Sequence, residues 1–298
     1  MHRPFDTYDG LAVAQIVLYT FFLVGAVILC LKHGFLKSAG WRYLLALALV
    51  RIVGSALRLA TISAPTDENL YIGWLVLTGL GLGPLILMLL GLLSRTFESM
   101  RRNGHDIVKP IFHRAVQTLM LVAMILLIVG GFSATFTIGA GGAPQVSYAV
   151  TSRVGSGLMI VVFVLLCLET LLAVVNQGYV AQGEHRVVFA VIACLPFVLV
   201  RLVYSELLVF AHVRSTAWLM LAMEVAMEVI VVLICEILGF ALARAPPEER
   251  KPADVEAQSM PAHGNLHSQN GYPMAQYPAE SVPRKTRRER KRERRQRR

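Results

Sequence analysis

The stretch Leu221–Phe240, LAMEVAMEVIVVLICEILGF, has the length of a membrane-spanning helix and yet carries three carboxylates, Glu224, Glu228 and Glu236. About 20 mostly apolar residues cross the hydrocarbon core of a bilayer. A charge at the centre of such a helix costs roughly 2.5–3.5 kcal/mol. Charged residues in spans therefore face other helices, pair with one another or mark a functional site. This stretch predicts a membrane span and a polar site inside a helix bundle.

The composition of the whole chain also indicates a membrane protein. Of its 298 residues, 55% are hydrophobic and only 16% are charged, with a mean hydropathy of +0.58. Because lipid cannot satisfy a bare backbone, each span must be helical. We predict an all-α polytopic membrane protein, a seven-transmembrane-helix bundle occupying residues 11–243. The predicted spans are Leu11–Leu31, Trp41–Thr61, Leu70–Leu93, Ala115–Phe136, Val154–Asn176, Val187–Ala211 and Trp218–Ala243.

The distribution of lysine and arginine between the loops predicts the orientation of the bundle. The first, third and fifth loops and the tail are basic, whereas the alternate loops and residues 1–10 are poor in Lys and Arg. Cytoplasmic loops carry the excess of positive charge. We therefore predict a short extracellular or lumenal N-terminus, residues 1–10, and a cytoplasmic C-terminus.

Residues 244–298 differ in character from the rest of the chain. They are rich in Pro, Gln and Asn, lack an apolar period and are predicted to be disordered. The tail ends in RKTRRERKRERRQRR, Arg284–Arg298, which has a net charge of +9. Such clusters beside a span bind anionic lipid head groups. An endoplasmic-reticulum retrieval signal and a solvated, topology-fixing tail remain alternatives, and no nucleic-acid partner is expected.

Eight arginines and glutamates lie inside the predicted spans, apart from Arg42 at the very start of the second. Helical spacing places Arg51 and Arg58 on one face of the second span, and Glu224 and Glu228 on one face of the seventh. Arg58 and Glu236 lie nearest the interfaces, where long side chains snorkel to water. Five glutamates face three arginines, so full pairing leaves two acids over. The predicted ligand-binding residues, in a central and outer cluster joining the second, sixth and seventh spans, are Arg51, Arg201, Tyr204, Glu206, Glu224 and Glu228.

Two other features have simpler interpretations. In TGLGLGP, Thr78–Pro84, Gly79 and Gly83 form a GxxxG pattern that predicts close helix packing, and Pro84 predicts a kink. His113 falls in a basic loop before the fourth span and is predicted to be a surface residue. Hydrolase, P-loop and zinc-protease motifs are absent. We predict no catalytic residue, no metal site and no cofactor, and hence that the chain is not an enzyme.

Several stretches resemble a large family of uncharacterised fungal seven-helix integral membrane proteins. They are YDG before the first span, GWRYLLALALVRIVGS through the second, PFVLVRLVYS in the sixth and WLMLAMEVAMEVIVVLICEILG in the seventh. The resemblance covers roughly residues 5–243 and implies a seven-helix fold and a fungal source, but no activity. Its recurrent positions correspond to Gly40, Trp41, Arg51, Arg201, Tyr204, Met227 and Glu228.

These observations leave three functional classes open. The first is a receptor- or sensor-like protein that binds an unknown small ligand from the outer side and contacts a cytoplasmic partner through the basic segment Arg95–Arg114. The second is a proton-coupled small-molecule or lipid transporter, or a transport accessory, with a surplus glutamate carrying the proton. The third is a membrane-embedded enzyme of secondary metabolism. Alternatively, the Arg–Glu pairs only lock the bundle. The sequence does not distinguish the plasma membrane from the endoplasmic reticulum.

Overall fold

A computed structural model describes residues 4–33, 39–64, 67–102, 108–133, 135–138, 144–147, 149–179, 184–210 and 216–244. The predicted disordered tail and its basic end, Arg284–Arg298, lie outside the described residues. Within the described ranges the chain has seven helical segments long and apolar enough to cross a membrane, which confirms the predicted all-α bundle and makes this an integral membrane protein. The helices are α1 (Thr7–His33), α2 (Ala39–Ala60), α3 (Glu68–Leu80), α4 (Leu82–Arg102), α5 (Pro110–Phe132), α6 (Val150–Val175), α7 (His185–Phe210), α8 (Ala217–Met220) and α9 (Met227–Arg244).

The third span, α3 followed by α4, lies at the centre of the bundle. Helix α4 contacts α2, α5, α6 and α7, and α3 contacts α2 and α5. Every residue from 81 to 93 is buried, as expected for a helix that is apolar on all sides. Helix α1 packs against α2 and α9 and so brings the first and seventh spans together.

Two spans are not regular α-helices. The third is interrupted at Gly81, between α3 and α4. Pro84 has no N–H to donate to the carbonyl group of Leu80, which accounts for the interruption at this place. The seventh contains a π-helical segment, Leu221–Ala226, between α8 and α9. We call this segment the wide turn, since a π-helix inserts an extra residue into the helical ladder.

The connection between α5 and α6 contains a short antiparallel hairpin that the sequence analysis did not anticipate. Strand β1 (Thr135–Ile138) pairs with β2 (Pro144–Ser147), with Thr135 opposite Ser147. The fourth predicted span, Ala115–Phe136, therefore ends too late. It also starts too late, because α5 begins at Pro110, a residue well suited to the first position of a helix.

Candidate functional site

A bidentate ion pair between the second and seventh spans forms the middle of the buried polar network. Arg51 donates from Nε to Oε1 of Glu228 at 2.6 Å and from Nη2 to Oε2 of the same carboxylate. Tyr19 of α1 donates its hydroxyl to Glu228 Oε1 at 2.6 Å. The Glu228 carboxylate, which is fully buried, therefore accepts three hydrogen bonds from two other helices. Hydrogen bonds to a charged group are the strongest in proteins, so this pair joins α1, α2 and α9 firmly.

A second arginine and a second glutamate complete the network. Arg51 Nη1 and Arg201 Nη2 each donate to Glu224 Oε1 at 2.9 Å. Arg201 Nε also lies 3.9 Å from Glu228 Oε2. We call Tyr19, Arg51, Arg201, Glu224 and Glu228 the polar centre. Its two arginines and two glutamates balance in charge, which a site buried at membrane depth requires.

The break in the third span lets both arginines approach the backbone. Arg201 Nη2 donates to the carbonyl oxygen of Thr78 at 3.0 Å, within the last turn of α3, where carbonyl groups lack intrahelical partners. A Cβ atom on Gly81 would lie 2.7–2.9 Å from the Arg51 guanidinium. Only glycine therefore fits at position 81 with the guanidinium in place.

Only one of the two glycines of the GxxxG motif, Gly79 and Gly83, makes the close helix contact that the motif predicts. A Cβ on Gly83 would lie 2.5 Å from the sulfur of Met124 in α5, so this glycine does permit close packing. At Gly79, nothing lies within 4 Å of the corresponding position. Gly81, which the GxxxG pattern leaves out, instead makes the close approach to Arg51.

The wide turn carries Glu224, whereas Glu228 lies in the first turn of α9. Both carboxylates bind Arg51 although they lie on different types of helix. One extra residue in a helix rotates everything on one side of it by about 100° relative to the other side. The wide turn therefore changes the register of α8, which precedes it, relative to α9, whereas Glu224 and Glu228 are four residues apart, a separation that keeps both on one face of a helix.

Two further polar layers connect the polar centre with the N-terminal end of α1. Ser55, one turn beyond Arg51 on α2, donates its hydroxyl to Gln15 Oε1 at 2.8 Å. Beyond it, Arg58 Nε donates to Asp9 Oδ1 at 3.1 Å. The layers follow the antiparallel packing of α1 and α2. At 1.5 Å per residue they extend about 15 Å along α1 from Tyr19 to Asp9.

The expectation that Arg58 snorkels to water is wrong. Arg58 is only 5% exposed, and Asp6 Oδ2 lies 3.6 Å from its Nη2 atom in addition to the bond with Asp9. Its guanidinium carbon also lies 4.8 Å from the ring centroid of Trp74 and 5.3 Å from that of Tyr8, within the range of cation–π attraction. The aspartates just before and within the first helical turn supply the counter-charges, so the side chain has no need of water.

The other predicted ligand-binding residues lie further along α7. Tyr204, one turn from Arg201, is buried. Glu206 accepts a 2.5 Å hydrogen bond from the hydroxyl of Ser156 in α6, away from the other acids. Among the described residues, neither Glu206 nor Glu236 forms an ion pair. The charge count assumed three Arg–Glu pairs, whereas Arg58 pairs with Asp9 and Glu169 pairs with His113.

His113 is not the surface residue that the sequence analysis predicted. It is 6% exposed, and its Nδ1 atom lies 2.8 Å from Oε2 of the buried Glu169 in α6. Gln117, one turn along α5, places its Nε2 atom 3.1 Å from His113 Nε2. The reason is the early start of α5 at Pro110, which puts His113 in the first helical turn, facing α6, instead of in the loop.

The basic segment Arg95–Arg114 is described only in part. Arg101 pairs with Glu98 at 2.9 Å on the surface of α4, and Arg95 lies 3.5 Å from Glu184. Residues 103–107 lie outside the described residues. The predicted cytoplasmic partner at this segment stays a prediction, whereas contact of the helices with the lipid bilayer follows from their membrane location.

A family model places the chain in a family but does not assign it an activity. No curated protein matches it. One family model matches residues 5–245, which include the whole of α1 to α9 and every residue of the polar centre. The chain belongs to the family described as "Domain of unknown function (DUF7702)".

Proposed function

We propose that this membrane protein is receptor- or sensor-like, binding a small ligand from the predicted outer side and responding through the polar centre. One observation carries the proposal. The break at Gly81 and the wide turn both adjoin the same two arginines, Arg51 and Arg201. Irregular backbone at membrane depth is tolerated only inside protein, and π-helical turns occur frequently at functional sites.

The polar centre suits a switch better than a site for a charged ligand. Its charges are already balanced, and the space beside Arg51, lined by Gln15, Ser55 and Thr78, is too small for a water molecule. Movement of the extra residue of the wide turn to a position between Glu224 and Glu228 would rotate Glu224 by about 100° relative to Glu228. The same charges then have two pairing patterns, and a ligand that favours one of them shifts the population of the bundle.

The distance between two spin labels tests this proposal. Trp218 in α8 and Val150 in α6 are each 75% exposed, so cysteines at these positions accept labels after the half-buried Cys167 is replaced by alanine. In lipid nanodiscs, Glu224→Gln weakens the hold of both arginines on the wide turn. We expect this substitution to change the distribution of distances between the labels.

Glu236→Gln is the matched control, because Glu236 lies on the same span and has no ion pair among the described residues. It should leave the distribution unchanged. A single distribution that is identical in the parent, Glu224→Gln and Glu236→Gln would contradict a switch at the polar centre and favour the alternative that the Arg–Glu pairs only lock the bundle.

A proton-coupled transporter is the second candidate, favoured by the interrupted hydrogen-bond ladder of the third span. Transporters commonly bind substrate beside discontinuous helices near the middle of the membrane, and here the Thr78 carbonyl beside the interruption accepts from Arg201, while the backbone at Gly81 stays helical. Glu206 and Glu236 are better proton carriers than Glu228, which three hydrogen bonds hold. In liposomes containing a pH-sensitive dye, a transporter predicts proton flux that Glu206→Gln or Glu236→Gln abolishes. A sensor predicts none.

No observation among the described residues favours a membrane enzyme, and the prediction that the chain is not an enzyme stays a prediction.

The binding of anionic lipid head groups by the basic segment Arg284–Arg298 also remains a proposal. It can be tested by comparing the full chain with one shortened after Arg244 for binding to vesicles with and without phosphatidylserine.

A further inference from the structure

The carboxyl group of Glu236 in α9 packs against the backbone of α1 at Gly25. A Cβ atom on Gly25 would lie 2.6 Å from Glu236 Oε1, 2.9 Å from its Cδ atom and 3.0 Å from its Oε2 atom. All three carboxyl atoms therefore border the space that a side chain at position 25 would fill. Glycine at this position lets the carboxyl group lie directly on the α1 backbone.

This carboxyl group has no partner within the described part of the chain. Glu236 is 9% exposed, and its Oε1 atom is buried and makes no hydrogen bond there. Buried polar atoms are nearly always paired. An ionised carboxylate without a partner is so costly in an apolar environment that the group takes up a proton instead.

The surroundings of Glu236 supply no counter-charge. Helices α1 and α7 and the wide turn pack against α9. On the α7 side, the thiol of Cys235 bonds to that of Cys194. On the α1 side the contact is Gly25, and Lys32, seven residues further along, is exposed. The acid of the wide turn is already paired in the polar centre. No charged group among the described residues therefore acts on the Glu236 carboxyl group.

We propose that Glu236 is a proton-binding site between the first and seventh spans, and that loss of its proton releases α9 from Gly25. The described residues bring together no set of three side chains that could hold a metal ion, which leaves a proton as the ligand of this single carboxyl group. The uncharged group packs on the α1 backbone, whereas the ionised group has to turn toward water. The proposal requires neither the sensor nor the transporter, because a proton that binds and leaves at one contact needs no flux.

The same two helices also carry part of the polar centre. Glu236 is eight residues from Glu228 on α9, about 12 Å along the helix, and Gly25 is six residues from Tyr19 on α1. Tyr19 donates to Glu228 at 2.6 Å, so α1 and α9 are joined at both levels. Release of the contact at Gly25 removes one of these two connections, which makes the packing of the first span against the seventh depend on pH.

Labelling with a lipid-soluble carbodiimide tests whether Glu236 carries a proton. With N,N′-dicyclohexylcarbodiimide, the O–H group of a protonated carboxyl adds across one C=N bond. The acyl group then shifts to nitrogen and gives a stable N-acylurea without a leaving group. In nanodiscs, peptide mass spectrometry should locate the label at Glu236, and labelling should fall about tenfold per pH unit once the carboxyl group ionises. Glu228, which accepts three hydrogen bonds, should stay unlabelled.

Two substitutions in α1 test the contact with Gly25. Gly25→Ala places a methyl group against the carboxyl group, which lies at the end of a flexible side chain and can move away. Labelling of Glu236 at neutral pH should then fall about tenfold, because the displaced group reaches water and ionises. Val24→Ala is the matched control, because Val24 is the neighbouring residue on α1 and is 55% exposed. It should leave labelling unchanged.

Spin labels measure the effect on the helices. Phe21 in α1 and Ile237 in α9 are 72% and 61% exposed, so cysteines at these positions accept labels once Cys167 is replaced by alanine. Raising the pH through the fall in labelling should lengthen or broaden the distances between the labels. Glu236→Gln should abolish this change, because its amide stays uncharged at every pH.

The two parts of the proposal fail separately. A Glu236 that no pH renders reactive toward the carbodiimide, or labelling that Gly25→Ala and Val24→Ala change equally, would overturn the proton-binding site. Distances between the labels at positions 21 and 237 that do not change with pH, or that change equally in Glu236→Gln, would overturn the release of α9 from α1.

Discussion

Arg51 and Glu228, which are 177 residues apart in the chain, form a bidentate ion pair that is almost completely excluded from solvent. Removing one partner leaves a buried charge without compensation, which typically costs about 3–5 kcal/mol. We expect Arg51→Gln or Glu228→Gln to lower the free energy of unfolding in detergent by this amount.

The double variant Arg51→Gln/Glu228→Gln should be more stable than the sum of the single effects predicts, because neither charge is then left alone. We expect a coupling energy of about 0.5–3 kcal/mol. Glu236→Gln is the control and should change the free energy of unfolding by less than about 1 kcal/mol. Strictly additive effects of the two substitutions would contradict the pairing.

The two glycines of the third span should respond differently to the same substitution. A Cβ at position 81 collides with the Arg51 guanidinium, whereas nothing lies within 4 Å of a Cβ at position 79. We expect Gly81→Ala to destabilise the protein by about 1–3 kcal/mol. Gly79→Ala should be neutral or stabilising by up to about 1 kcal/mol, since alanine is the better helix former. Equal effects in a thermal-shift measurement would contradict the close approach of Arg51.

Arg58 should not tolerate replacement by lysine. Its planar guanidinium lies against Trp74 and Tyr8 and also bonds to Asp9, a combination that a lysine ammonium group does not reproduce. We expect Arg58→Lys to lower the free energy of unfolding by about 1–3 kcal/mol. Arg101→Lys is the matched control, because the Arg101–Glu98 pair is exposed and such pairs contribute below about 1 kcal/mol. If Arg58→Lys lowers the free energy of unfolding no more than Arg101→Lys does, the contacts of Arg58 with Trp74, Tyr8 and Asp9 do not stabilise the protein.

The His113–Glu169 pair gives a test at the other end of the bundle. His113→Leu leaves the buried carboxylate of Glu169 without its partner, and we expect a loss of about 3–5 kcal/mol in the free energy of unfolding. The double variant His113→Leu/Glu169→Leu should recover most of this loss, because apolar replacements of a buried pair are often tolerated. If the double variant is less stable than His113→Leu, the pair is not the reason for the loss.

Much of the architecture follows from the sequence because the membrane imposes simple rules. Runs of about 20 apolar residues give the seven spans, and the cost of isolated charges brings Arg51, Arg201, Glu224 and Glu228 together. The orientation of the N-terminus toward the outer side, the fungal source and the particular membrane stay predictions, since nothing in the geometry of the helices tests them.

The parts that the sequence did not predict depend on local backbone geometry and helix register. Tyr19 is one of many aromatic residues in apolar runs, and only the packing of α1 against α9 places it on Glu228. Asp9 lies in the first turn of α1, whereas the apolar pattern alone predicts that the first span begins at Leu11. The wide turn has no recognisable residue pattern, and π-helical turns are rare single-turn insertions within α-helices.

The most direct test is whether Arg51 holds both carboxylates of the seventh span. Double-mutant cycles measure the coupling energy of Arg51 with Glu224 and with Glu228. Arg51 with Glu236 is the control cycle, because Glu236 lies on the same span and has no ion pair among the described residues.

We expect a coupling energy of about 0.5–3 kcal/mol for Arg51 with Glu224 and for Arg51 with Glu228, because Arg51 donates hydrogen bonds to both carboxylates. The coupling of Arg51 with Glu236 should lie below about 0.5 kcal/mol. An Arg51–Glu224 or Arg51–Glu228 coupling no larger than that of Arg51 with Glu236 would contradict a shared polar centre.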